Sequence, residues 1–151
     1  MPLGVSLSYD REMLIQRNIE LAKKHIMVPP KSAKRYVIII TAIIVLINVG
    51  ILGSSIGNPY ALGAVIFVDL FLLPVPVALY LAWYLPVYRR SKAIVKMIDD
   101  GDLIAALNAL TAMSAGSVWM VSIYATHYGA AKGYLEQAVA LMYSESEKKE
   151  K

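Results

Sequence analysis

The chain has 151 residues, 58% of them hydrophobic, with no cysteine and a formal net charge of +4. The missing cysteine excludes disulfides, thiol catalysis and thiolate-bound metals. The basic excess does not point to nucleic acid, because much of it flanks the apolar stretches, where it suits inner-leaflet phospholipid. The length fits one compact unit.

Met1 to Leu7 carries no strong pattern and reads as an irregular arm. Ser8 is a plausible N-cap, with Asp10 and Glu12 in the first turn, where the helix dipole favours acids. Ile15, Ile19, Ala22 and Ile26 then fall on one face of a helix expected to reach about Val28 and to end at Pro29-Pro30. Residues 1–35 are therefore read as a cytoplasmic N-terminal amphipathic helix. It packs on the protein's own helices, lies on the membrane surface or binds a partner. The charges ahead of the first apolar run argue against a cleavable leader.

Residues 36–88 hold no Lys or Arg and one acid, Asp69. A helix needs about 20 apolar residues to cross roughly 30 Å of hydrocarbon. Val37–Ile56 supplies one such run and Tyr60 to about Leu85 a second. Asn58-Pro59 breaks the chain between them, because the residue before a proline is pushed out of helical angles. The expected fold is all-α: an integral membrane protein with a two-span transmembrane hairpin and a cytoplasmic helical layer. Lys31, Lys34 and Arg35 precede the first span, Arg89, Arg90, Lys92 and Lys96 follow the second, and the turn has no basic residue. By the positive-inside rule both termini are cytoplasmic. Tyr36, Trp83, Tyr84 and Tyr88 suit the inner aromatic belt and Tyr60 the outer one.

Pro74 and Pro76 lie within the second span and Pro86 near its end. Each removes a backbone donor, so a kink is expected near Leu72–Val77. Asp69 is costly at mid-bilayer and needs a partner. Asn48 stands about as far from the turn as Asp69 does, and Thr41, Asn48 and Ser55 share a spacing of seven. Asn48 and Asp69 are therefore the expected intramembrane polar pair. It acts as packing glue, as a proton or cation site, or as an acid paired with a partner's basic residue. Gly53 and Gly57 form a small-xxx-small helix-packing pattern. Gly129 and Gly133 form another, interrupted by Lys132.

Residues 89–143 read as a cytoplasmic helical region, with Gly101 as a helix C-cap and Asp102 as the next N-cap. A helix is expected from Leu103 to about Met113, burying Leu103, Leu107, Leu110 and Ile104. A break at Ser114–Ser117 leads to a second helix from about Val118 to Tyr143. Residues 103–131 carry no formal charge, and an alternative reading makes them a third span. Residues 144–151 are a charged tail, expected to fray.

His25 and His127 lie in separate elements without a third ligand at metal spacing. No catalytic or nucleotide-binding motif is present, so neither enzyme activity, nor a cofactor, nor a metal is expected. The sequence points to a small non-catalytic integral membrane subunit or scaffold. Its partners are the lipid bilayer and a membrane protein or further copies of itself. Trp119, Tyr124, Tyr128 and Tyr134 are expected on the interaction surface. An oligomeric channel or proton-coupled transporter using Asp69 is one alternative, and a membrane-embedded structural protein of an envelope or coat is another.

Overall fold

In the computed structural model residues 3–54, 56–115 and 119–149 are described. They form α-helices joined by short turns, with no strand among them: α1 Leu3–Ile26, α2 Val28–Ser54, α3 Pro59–Leu72, α4 Pro74–Leu79, a π-helical turn Tyr80–Tyr84, α5 Leu85–Asp99, α6 Leu103–Ala115 and α7 Trp119–Lys149. The chain divides into two units, Met1–Pro29 with Arg90–Lys151, and Pro30–Arg89.

The first unit is held by an antiparallel seam. On α7, Tyr124, Tyr128, Ala131, Leu135 and Ala138 are buried, at alternating spacings of four and three. That is the period of a knobs-into-holes stripe. On α1 the expected face meets it: Ala22 and Ile26 are fully buried, and Ile15 and Ile19 half-buried. The direction is fixed at both ends. The Arg11 guanidinium donates to the Leu141 carbonyl and the Ser144 hydroxyl, and His25 stacks on Tyr134.

Several boundaries differ from expectation. Helix α1 begins at Leu3, so Ser8 is inside it and does not cap it. Pro29 and Pro30 open α2 after a single turn residue, Met27. In a first helical turn the missing N–H groups of proline have no intrahelical partner to lose. Helix α7 continues through Lys149, so the charged tail from Ser144 stays helical there. The expected break after Ser114 falls on residues of which Gly116 and Ser117 lie outside the described ones.

On α6 the buried face is Leu103, Ala106 and Leu110, packed on α7. Leu107 is half-buried and Ile104 is exposed. The stripe thus turns through Ala106 at spacings of three and four, instead of through Leu107. The α5–α6 junction follows the expected capping. Gly101 adopts φ +83°, the Asp102 N–H reaches the Met97 carbonyl at 2.9 Å and the Gly101 N–H the Ile98 carbonyl at 3.1 Å. This pair of bonds is a Schellman motif. The Asp102 carboxylate then accepts from the Ala105 N–H at 3.0 Å, capping α6.

Two helical stretches, Tyr9–Ser54 and Leu62–Asp99, contain windows long and apolar enough to cross a membrane. Only 6% of each window is buried. A core helix of a soluble domain would bury most of it. Between the helices Gly57 takes φ +97°, and Asn58, extended at φ −115° and ψ 109°, caps α3 by accepting from the Tyr60 N–H at 3.1 Å. Tyr36 of α2 and Trp83 of the π-helical turn stack at 6.0 Å between ring centroids.

The prolines mark where the second run departs from a regular α-helix. Its hydrogen-bond pattern is interrupted at Leu73, just before Pro74, although Leu73 keeps helical angles. A second departure, not expected from sequence, is the π-helical turn, closed by the Leu85 N–H on the Tyr80 carbonyl. Pro86 follows directly. A proline ring presses on the carbonyl four residues back, and a widened turn relieves that contact.

Leu135→Ala in the seam should destabilise the first unit by about 2–5 kcal/mol, the usual cost of a buried Leu. Leu110→Asp should open that unit to limited proteolysis, with Leu107→Asp showing a smaller effect. Equal protease resistance in Leu110→Asp and wild type would remove α6 from the core.

Candidate functional site

The polar groups of the apolar helices come first, because they are the most expensive ones in the chain. Asn48 and Asp69 are half-buried, and each keeps its Oδ1 atom buried and without a hydrogen-bond partner among the described residues. The bond expected between them is not made through these oxygens. Their depths are nevertheless close. Asp69 stands ten residues into the run of twenty-four from Pro59 to Trp83. The same fraction of the run from Ser54 back to Tyr36 falls between Leu46 and Ile47. At 1.5 Å per residue, that is about 2 Å from the level of Asn48. Both Oδ1 atoms are acceptors, and neither receives a bond from the Asn48 amide Nδ2 or from another described group. A proton on Asp69 would let it donate to Asn48 Oδ1.

The remaining polar stripe on α2 does not converge on this pair. Thr41 is exposed, and its hydroxyl donates to the Val37 carbonyl at 2.7 Å within its own helix. Ser55 lies outside the described residues. The glycine pattern is also not a helical face. Gly53 is on α2 with open space around it, whereas Gly57 is in the turn beyond the helix, where its positive φ suits glycine. A side chain added at Gly129 or Gly133 would likewise meet nothing within 4 Å.

In the first unit the structure brings together residues that sequence reading had kept apart. His25 and His127 have ring centroids 5.8 Å apart, and His25 stacks on Tyr134 at 5.6 Å. The His25 Nδ1 atom is buried and has no partner among the described residues. The two histidines therefore do form one cluster, against the expectation from their places in the sequence. No group of three His, Asp or Glu side chains suited to a metal is found among the described residues.

Tyr124 and Tyr128 are 3% and 2% exposed, so they belong to the seam and not to the interaction surface expected of them. Tyr134 is half-buried against His25, and the side chain of Trp119 lies outside the described residues. The Tyr128 hydroxyl shares a hydrogen bond with Ser91 Oγ at 3.1 Å, tying α5 to α7 inside the unit. Burial pushes the Tyr128 phenol above its ordinary value, with the Ser91 bond and the Arg90 charge opposing. Lys23 is raised chiefly by its hydrogen bond to Asp99, 2.6 Å away. That pair is largely solvated and holds little stability.

Grooves open on the first unit. One, of about 360 Å³, lies between Gly101–Ile104 and the α7 residues Val139, Met142 and Tyr143. Asp102 in its wall is already engaged as a helix cap. Another, of about 330 Å³, runs between α5 and α6 and is lined by Arg90, Ala93, Ile94, Met97, Ala109, Ala112 and Met113. No family model, curated protein or solved structure matches the chain.

The raised Tyr128 phenol sets a pH dependence. Its proton is held more tightly in the folded state. The stabilisation is therefore complete below the ordinary tyrosine value near 10, and is lost as pH rises through the folded value. Thermal unfolding should show a falling midpoint above about pH 10. In Tyr128→Phe the alkaline loss should shrink to the part carried by Lys23. The same variant should lose about 1–3 kcal/mol at neutral pH, because Ser91 Oγ is left buried and unpartnered.

Proposed function

We propose that the chain is a small, non-catalytic integral membrane subunit or scaffold. It inserts as a two-span hairpin with both termini in the cytoplasm. It packs within the bilayer against a partner membrane protein or against copies of itself. The observation that carries this reading is the 6% burial of both apolar windows. Water would penalise that surface by roughly 25 cal/mol per Å², whereas lipid covers it at no such cost. Helices also satisfy their own backbone in hydrocarbon.

The aromatic residues support the same reading. Tyr36 stacks on Trp83, and Tyr80, Tyr84 and Tyr88 form a ladder with centroid spacings of 5.1 and 5.7 Å. These rings gather at the end of the apolar stretches next to the basic flanks, as an interfacial belt does. A packing role, in place of transport, is favoured because two spans do not enclose a path by themselves. In this role a protonated Asp69 donates to Asn48 Oδ1 and ties the hairpin together.

Topology is tested by cysteine labelling. Asn58→Cys should react with an impermeant maleimide added outside, while Gln16→Cys and Gln137→Cys should react only after permeabilisation. Outside labelling of Gln137→Cys alone would make 103–131 a third span. The role of Asp69 is tested by two substitutions. Asp69→Asn should be tolerated, because an amide both donates and accepts. Asp69→Leu should weaken the hairpin or its assembly by about 1–2 kcal/mol. Loss of proton flux or of a co-purifying partner in a folded Asp69→Asn would favour a channel, transporter or charge-paired role. Gentle-detergent purification with mass spectrometry of the retained proteins separates a hetero-complex from a homo-oligomer.

A further inference from the structure

We propose that the groove between α5 and α6 binds an anionic phospholipid, with its phosphate on Arg90 and one acyl chain drawn out of the bilayer along Met97 and Met113. The proposal rests on the membrane reading above. Arg90, Ala93, Ile94 and Met97 recur at intervals of three, four and seven along one face of α5, and Ala109, Ala112 and Met113 do so along α6. The three alanines leave the hollow, and the isoleucine and methionines wall it. Methionine adapts to a flexible apolar occupant.

Charge selects the sign of the ligand. Arg90 is the one charged side chain in the lining, and α6 carries no formal charge over its whole length. Exposed Arg89 and Lys96 lie on the same helix, and from Leu85 to Ile98 there is no acid. No carboxylate among the described residues lies within 4 Å of Arg89, Arg90 or Lys96. A guanidinium without a carboxylate partner, at the head of an apolar slot, suits a phosphate carrying hydrocarbon. In sequence, Arg90 follows Tyr88, the end of the apolar run, by two residues. That is where a lipid headgroup is expected.

Arg90 to Met97 spans about 10 Å along α5, a length over which part of one acyl chain can lie in the groove of about 330 Å³.

The test uses the full-length protein in nanodiscs with equal phosphatidylglycerol and phosphatidylcholine, released for native mass spectrometry. Wild type should retain phosphatidylglycerol preferentially, and excess inorganic phosphate should not displace it. Arg90→Gln should lower the preference about fivefold, the factor one basic residue contributes beside an anionic surface. Ala112→Trp, which fills the slot at an exposed position, should abolish retention while helicity by circular dichroism is unchanged. Equal retention of both lipids, or full retention in Ala112→Trp, overturns the proposal, as does displacement by phosphate. A photocrosslinker at Ala112 that captures polypeptide and no lipid overturns it in favour of a protein partner. Extraction of the protein from cell membranes by alkaline carbonate is a separate outcome, and it defeats the membrane reading itself.

Discussion

The antiparallel seam of α1 on α7 is the interaction on which the rest depends. It joins segments as far apart as Arg11 and Leu141, 130 residues distant along the chain. Closing so long a loop costs conformational entropy that grows with its length. The contact that offsets it is a continuous stripe of buried apolar side chains, not a set of surface ion pairs. Alanines at positions 22, 131 and 138 let the two backbones approach. The larger Ile26, Tyr128 and Leu135 fill the spaces between. Once the seam exists, α6 has a surface to pack on, and Ser91 of α5 finds its bond to Tyr128.

The apolar helices follow a different rule. Their regularity is set by backbone hydrogen bonding, which each helix completes along its own length, and their side chains are left almost entirely outside the protein. Departures from that regularity track the prolines. The pattern is interrupted at Leu73 before Pro74, and a π-helical turn precedes Pro86. Where a backbone must complete its own bonds, a missing N–H is accommodated by a local change of register. The few polar side chains are treated unequally. Thr41 and Ser54 return their hydroxyls to carbonyls of their own helix, whereas Asn48 and Asp69 keep buried acceptors without a donor among the described residues. That residual need is what makes the proposed hairpin more than a passive anchor.

Charge divides the molecule along its length in the same sense. Seven of the fifteen basic residues sit beside the apolar stretches, on the first turns of α2 and along α5, while α6 is uncharged. Surface ion pairs such as Lys23–Asp99 and Lys132–Glu136 decorate this arrangement and do not hold it. Arg89, Arg90 and Lys96 of α5 have no carboxylate partner among the described residues, and the neighbouring groove gives an external anion an apolar place to lie.

The sequence by itself determined what local chemistry determines. The all-helical class, the two apolar runs, the Asn58-Pro59 break and the Gly101–Asp102 junction were all legible. Each depends on residues within a few positions of one another. So was the α1 face from Ile15 to Ile26, because its period is a property of one helix. The extent of the helices was less legible: Pro29 and Pro30 end one helix and begin another equally well, and only the neighbouring structure chooses. Gly57 matched a packing motif by spacing, yet a positive φ in the turn claimed it. Leu107 and Ala106 both fit an apolar face, and the direction in which α6 lies on α7 selected Ala106. The aromatic residues of α7 looked like an exposed binding surface until the seam covered Tyr124 and Tyr128. The meeting of His25 with His127 and Tyr134, and of Ser91 with Tyr128, was invisible in the chain order. The histidine contacts exist because α1 and α7 run antiparallel, and the Ser91 bond because α5 packs on α7, facts fixed by long-range burial and carried by no local motif.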